Sequence, residues 1–381
     1  MKKQNEEINV LVLCSFYSSY VIQLCHYMKK YYPQIKYSLL THKNAVEEYR
    51  KESENLENIY YYVTTRTRLF YNQLDMLPPF DIIHSLWMEP VWGMNAHKLK
   101  KKAKYWFNSV GGSDLYRSSN NQLVRIVQKR IIRRSDWISS ENVETRDFFY
   151  KVYGDKYRTT EHSICRFGVD ILDYISRFKQ GEKGPGIICS AFPEDKIIVL
   201  CGTNAGEHHQ HLAMIDAISR MNDVQRNQCH FVFPMTYPKG KEAYIRQVSE
   251  CIAQVTDSFT ILTRYMDVRE MAELAMSVDI MIHVQTTDQL SSAMLSHMYN
   301  GNIVIAGAWL PYDSLQDNNV FFLKVQEIQE LTSQLEEVII NLDDYKKQCL
   351  GNPDIIYQLS SWEKASVNWM NIYTALMKGE K

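Results

Sequence analysis

The sequence predicts an α/β protein built as two doubly wound domains, each a parallel sheet covered by helices. Three observations predict it. Apolar runs of strand length alternate with segments of helical spacing along nearly the whole chain. That alternation breaks once, near residues 168–190, and then restarts. The chain has 381 residues, 45% of them hydrophobic, which is too long for one ordinary core and suits two.

The elements follow in order. Residues 8–14 read as a buried strand, 15–19 as a turn, and 20–31 as a helix stopped by Pro33. Residues 36–40, 80–85 and 105–110 read as further strands, with a helix over 121–134 and a strand end at 137–140. Turn-forming residues over 180–185 mark a linker. Strands at 196–201, 230–233, 259–262, 279–284 and 303–306 then alternate with helices at 211–221, 242–255, 268–277 and 291–299. The predicted organisation is a Rossmann-like domain over 1–172, a linker over 173–195, a second Rossmann-like domain over 196–355 and a terminal helix over 356–381.

Composition bounds the function. Basic and acidic residues nearly cancel, 43 against 44, so net charge does not point to nucleic acid. The charge is clustered, however. Between residues 98 and 134 stand Lys98, Lys100, Lys101, Lys102, Lys104, Arg117, Arg125, Lys129, Arg130, Arg133 and Arg134, with Asp114 the only acid. Such a run is usually a solvated face, but it also suits an anionic membrane or a lipid-diphosphate acceptor. No nucleic-acid motif accompanies it. The 8 cysteines, Cys14, Cys201 and Cys251 among them, show no metal spacing and read as reduced thiols of a cytoplasmic protein. The start is polar, and the apolar run 8–14 is too short to span a membrane. The 25 tyrosines would suit a sugar or base pocket, though an ordinary Tyr-rich surface is the commoner explanation.

Five motifs, in order along the chain, resemble the large retaining family of GT-B glycosyltransferases. Asp81-Ile82-Ile83-His84-Ser85-Leu86-Trp87 is similar to its D-[VI]-[IV]-H-x-H strand. Gly111-Gly112-Ser113-Asp114-Leu115-Tyr116 is similar to its H-G-S-D-x-Y segment, with Gly111 in the place of His. Phe167-Gly168-Val169-Asp170 resembles the segment that closes the first domain. Asp288, Ser296 and Gly301 fall where the family has two glutamates and a glycine. Ser361-Trp362-Glu363-Lys364-Ala365 resembles its terminal helix, which packs back on the first domain. The second half also resembles the transferase of 4-acetamido-4,6-dideoxygalactose in enterobacterial common antigen, through Gly202-Thr203-Asn204-Ala205-Gly206, the segment from Phe233 to Pro238, and residues 286–301.

The resemblance implies two domains facing a cleft, a nucleotide-diphosphate sugar as donor, a glycan or lipid-linked acceptor, and no metal or other cofactor. Gly202, Thr203 and Asn204 would lie against the diphosphate, where small residues admit backbone amides and a helix N-terminus adds field. A plain tight turn is the alternative. The family's Arg and Lys in this loop are replaced by Thr203 and His209, so His208, His209, Lys239 and Arg264 are the substitute cations to consider. Metal binding by the histidines is disfavoured, because no carboxylate or cysteine joins them at ligand spacing. Tyr237, Arg264 and Tyr265 would border the base, with a half-buried strand-end tyrosine the equal alternative for Tyr265. Asp288, which is also a candidate catalytic group, would form the donor loop with Gln289, Leu290, Ser291 and Ser292, with Ser296 in the ribose position. Capping of the following helix is the alternative role for Asp288.

On the acceptor side stand Ser15, Tyr17, Ser18, Gly111, Gly112 and Ser113, with His84 and Asp114 at strand ends as candidate catalytic groups. A buried His84 bonded to its neighbours is an equal alternative. Two rival functions stay open: a GT-B-shaped protein without activity that supports a true transferase, and another two-domain enzyme such as a sugar-nucleotide epimerase.

Overall fold

The computed structural model describes residues 7–65, 67–188, 190 and 192–379; the polar residues 1–6 lie outside the described residues. The chain forms two compact units, residues 1–168 with 362–381 and residues 169–361. Each is treated by itself.

In the first unit the strands are β1 (Ile8–Leu13), β2 (Ile35–His42), β3 (Asn58–Tyr62), β4 (Phe80–Ser85), β5 (Ala103–Ser109), β6 (Trp137–Ser140) and β7 (Glu161–Ile164). They pair in the order β3-β2-β1-β4-β5-β6-β7, every pair parallel. The second unit holds β8 (Ile197–Cys201), β9 (Cys229–Pro234), β10 (Phe259–Leu262), β11 (Ile280–His283), β12 (Ile303–Gly307) and β13 (Leu323–Val325). Their order is β10-β9-β8-β11-β12-β13, again all parallel. The central strands are buried almost throughout because helices cover both faces, which is why they read as largely apolar runs. Strand order reverses between β1 and β4 and between β8 and β11. At such points the loops leaving the C-terminal strand ends diverge and open a crevice.

The domain boundaries differ from those the sequence predicts. The segment expected as a linker starts with the helix Ile171–Lys179, whose Ile171, Leu172 and Ile175 are buried in the core of the second unit. Ile188 and Phe192 join the same core, so apolar burial holds this segment against unit 2. The terminal boundary shifts for the same reason. The helix Asn352–Ser360 gives Ile356 to that core, and only the helix Trp362–Lys378 belongs to the first unit.

Three aromatic residues anchor that last helix. Trp362 stacks on Tyr27 at 5.0 Å, Trp369 Nε1 donates to Arg166 O at 3.0 Å, and Tyr373 OH lies 2.8 Å from His84 Nδ1. Gly168 makes room for it: a Cβ there would lie 2.3 Å from the Trp362 ring. The seven described cysteines are free, and six of them are buried. No described helix is long and apolar enough to cross a membrane.

Candidate functional site

The residues singled out from the sequence lie mostly on loops leaving the C-terminal edges of the two sheets. In the second unit, the loop after β8 opens with Gly202 at φ 74°. A side chain there would be strained and would meet His211 Nε2 at 2.7 Å. Ala205 N donates to Tyr237 O at 2.7 Å, and Thr286 N donates to His208 O at 2.8 Å. The loops after β8, β9 and β11 are thereby tied into one edge. The helix does not follow the glycine loop directly. A 3-10 turn, Glu207–His209, intervenes, and the helix starts at His211.

The expected substitute cations fare unequally. Thr203 Oγ1 and His209 Nε2 bond each other at 3.3 Å. His209 is buried, and desolvation pushes its pKa down to about 2, so the ring is neutral and brings no charge to a phosphate. That corrects its reading as a replacement for lysine. Arg264 is committed elsewhere: its two terminal nitrogens fork the Glu270 carboxylate at 3.0 and 2.6 Å. Glu270 in turn closes the capping box that starts the helix Val268–Ser277. Lys239 remains exposed. It lines a cavity of about 710 Å³ together with Thr236, Lys241, Arg246, Thr263 and Tyr265. Lys241 also pairs with Glu207 at 2.8 Å. Tyr237 and Tyr265 show open ring faces, 47% and 68% exposed.

Asp288 sits in a polar cluster. Its Oδ2 accepts from Tyr312 OH and lies 3.4 Å from His283 Nε2. His283 Nε2 is 2.9 Å from Tyr312 OH and 3.1 Å from Gln285 Nε2. Trp309 Nε1 donates to Gln285 O at 2.8 Å and steadies the loop. Asp288 is not a helix cap. The helix Ser292–Asn300 is capped by Ser291, whose Oγ accepts from Met294 N at 3.2 Å. Gln289 and Leu290 are buried, and Ser292 is half-buried. Ser296 is also buried, with its hydroxyl donating to Ala293 O at 2.7 Å, so it faces the interior and not a ribose.

In the first unit the candidates divide as well. His84 is fully buried, flanked by Tyr373 OH at 2.8 Å and Ser109 Oγ at 2.9 Å and stacked on Phe107 at 4.4 Å. Desolvation lowers its pKa to about 3. It is a core residue, not an exposed strand-end base. Asp114 is also buried: Oδ2 accepts from Met88 N at 2.7 Å, while Oδ1 has no partner. Burial raises it to about 7. Asp114 therefore clamps the loop after β4, and direct contact with an acceptor is not open to it. Ser18 caps the helix Ser19–Tyr31, and Tyr17 OH donates to Glu52 at 2.7 Å. Gly111 packs against Trp87, whose ring a Cβ would meet at 2.3 Å. Gly112 and Ser113 are half-buried beside it. Ser15 points at Glu89, its Oγ donating to Oε2 and its backbone N to Oε1 at 2.9 Å.

Among the described residues, no group of three or more His, Cys, Asp or Glu could hold a metal ion. No family profile and no curated protein matches the sequence. Solved structures do match along its whole length. Sucrose-phosphate synthase from Thermosynechococcus elongatus superposes at a TM-score of 0.75, with 12% identity over 98% of this chain and 100% of its own. Anabaena HepE, solved with UDP and glucose, gives 0.74 at 12% identity over 97% and 100%. A glycosyltransferase from Rickettsia africae gives 0.76 at 14% identity over 98% and 99%. The chain has the GT-B fold.

Within this GT-B chain the sequence reading missed three groups. His283 and Tyr312 hold Asp288, but nothing local marks them, since one ends an apolar strand and the other lies in a turn. Glu89 precedes Pro90 at the start of the helix Pro90–Met94 and makes no capping bond. Its carboxylate instead takes Ser15 and Trp92, the latter through Nε1 at 3.0 Å.

Proposed function

We propose that the protein is a glycosyltransferase. It moves a sugar from a UDP- or dTDP-linked donor to a glycan or lipid-linked acceptor. The observation that supports this best is the likeness of the whole chain to structures such as HepE, which was solved with UDP and with UDP-glucose. The donor nucleotide goes to the edge of unit 2. There Tyr237 and Tyr265 offer exposed rings and Lys239 an exposed ammonium, beside the turn that starts at Gly202. UDP or dTDP at a hundred times its dissociation constant should raise stability by about 2.7 kcal/mol, read as a rise in melting temperature. No shift with either nucleotide at millimolar concentration would leave the non-catalytic reading standing.

The acceptor side is proposed to meet an anionic membrane through part of the basic stretch. Lys98, Lys100 and Lys104 are paired with Asp75, Asp136 and Asp81, and Lys102 Nζ donates to two backbone carbonyls. The helix Gln122–Ile132 is different. Leu123 and Ile126 are 74% and 54% exposed, beside Arg125, Lys129, Arg130, Arg133 and Arg134 with no acid among them. Exposed apolar side chains among cations suit a lipid interface. Reversing Arg130 and Arg133 to Glu should weaken co-sedimentation with anionic liposomes by about 30-fold or more, at about 1 kcal/mol per lost cation. Binding that ignores lipid charge and salt would count against this contact.

A further inference from the structure

We propose that the indole of Trp309 is the shelf on which the donor's sugar ring rests, and that this sugar is uncharged. The inference rests on the transferase reading above and adds to it a specificity-determining residue and the class of sugar.

Trp309 is an exposed ring held in one position. It stands two residues past the end of β12 and is 40% exposed. Its Nε1 donates to Gln285 O at 2.8 Å. The ring lies down on Gly307, where a Cβ would come within 2.4 Å of it, so a side chain at 307 would lift the indole away. The polar tip is thus satisfied and the ring cannot turn freely, while much of its apolar surface faces solvent. A ring fixed in this way loses little further freedom when a ligand packs on it.

Hydroxyls and a carboxylate accompany the ring. Gln285, which anchors the indole through its carbonyl, reaches with its side chain to His283, and His283 lies 3.4 Å from Asp288 Oδ2. Thr286 and Thr287 stand exposed between Gln285 and Asp288. Tyr312, three residues past Trp309, donates to the same carboxylate. The ends of β11 and β12 therefore bring together what a sugar ring uses. The C–H bonds of one sugar face pack on the indole, and sugar hydroxyls donate to a charged acceptor.

The distribution of charge sets the class. From Glu270 to Leu323, the stretch that holds β11, β12 and their loops, the sequence has no lysine or arginine. The cations at its two limits are committed, Arg264 to Glu270 and Lys324 to Asp313. The opposite side of the sheet edge differs. There Lys239, Lys241 and Arg246 line the cavity beside β9 and β10. The order β10-β9-β8-β11-β12 puts the turn at Gly202 between the two sides. A nucleoside diphosphate suits the cationic side, and its sugar then falls to the side of Asp288 and Trp309. A carboxylated sugar there would set its charge against Asp288 with no lysine or arginine from these loops to answer it.

Calorimetry on the full chain tests this. The ligands are UDP and dTDP, each alone and as its glucose and glucuronate conjugates, with UDP-galactose and UDP-N-acetylglucosamine added. At least one conjugate of a neutral sugar should bind about ten-fold or more tightly than the glucuronate conjugate of the same nucleotide. Trp309→Ala should weaken that neutral conjugate about ten-fold and leave the free nucleotide within about three-fold. Trp309→Phe, which keeps a ring, should recover most of the loss. Asp288→Asn should narrow the gap between neutral and glucuronate conjugates, a change that a purely structural role would not produce. A glucuronate conjugate that binds as tightly as the neutral ones overturns the sugar class. Trp309→Ala that leaves the neutral conjugate unchanged, or weakens it and the free nucleotide alike, overturns the shelf. Absence of UDP and dTDP binding in wild type is a failure of the transferase reading, seen before any sugar is compared, and takes the proposal with it.

Discussion

Lowering the pH from 7 to 5 will open the second unit before the first. Unit 2 holds four buried histidines whose folded pKa values are depressed by desolvation, His230 and, further down, His209 to about 2, His211 to about 4 and His297 to about 3. The unfolded chain binds a proton at each near 6.5 and the folded chain does not. Stability from these groups is present above pH 6.5 and is lost as pH falls toward the folded values. His209, His211 and His297 each therefore cost about 2 kcal/mol at pH 5. Asp170 acts in the opposite sense. Burial raises it to about 6, so the folded form gains its proton first on acidification and recovers about 1 kcal/mol. The net loss, about 5 kcal/mol, compares with the whole stability of an ordinary domain.

In unit 1 the two effects nearly cancel over the same window. His84 and His162, both lowered to about 3 by burial, lose about 4 kcal/mol together. Glu89 and Asp114, both raised to about 7, regain about as much. Hydrogen exchange by mass spectrometry, corrected for the intrinsic pH effect on exchange, reads each unit separately. Unit 1 peptides opening first at pH 5, or no change in unit 2, would refute this assignment.

Asp288→Asn should lower sugar transfer at least ten-fold while leaving the melting temperature close to wild type. The carboxylate is held on one oxygen by Tyr312 and approached by His283, and its other oxygen is the one proposed to meet a donor hydroxyl. A charge-assisted hydrogen bond there contributes roughly 1.5–3 kcal/mol, or about ten- to a hundred-fold. Helix capping does not confuse the test, because Ser291 makes that bond. Tyr312→Phe releases the oxygen that Tyr312 holds, loosens the carboxylate and should cost transfer with little change in nucleotide affinity. Unchanged transfer in Asp288→Asn, alongside a lower melting temperature, would reduce Asp288 to a structural partner of Tyr312.

How far the chain could be read depended on where the determining contacts lie. Central strands such as β1, β4 and β9 are legible because burial on both faces demands an unbroken apolar run. The edge strands β3 and β7 were missed, since residues 58–62 and 161–164 mix tyrosines and polar groups and take their form from a neighbour's ladder. β13 is only three residues long.

The candidate site divides along the same line. The sequence by itself determined two doubly wound sheets and the glycine turn at Gly202, through local spacing and turn chemistry, while the loop that carries Asp288 and the tryptophan-led terminal helix were implied by the resemblance to the GT-B family. Only the tertiary structure decided which polar groups are available. His84 is core because Tyr373, 289 positions away, closes over it. His209 is neutral because its surroundings are dry. Ser15 turns to Glu89, 74 positions further on. Burial and partner choice are properties of packed neighbours, and no local pattern encodes which distant side chain arrives.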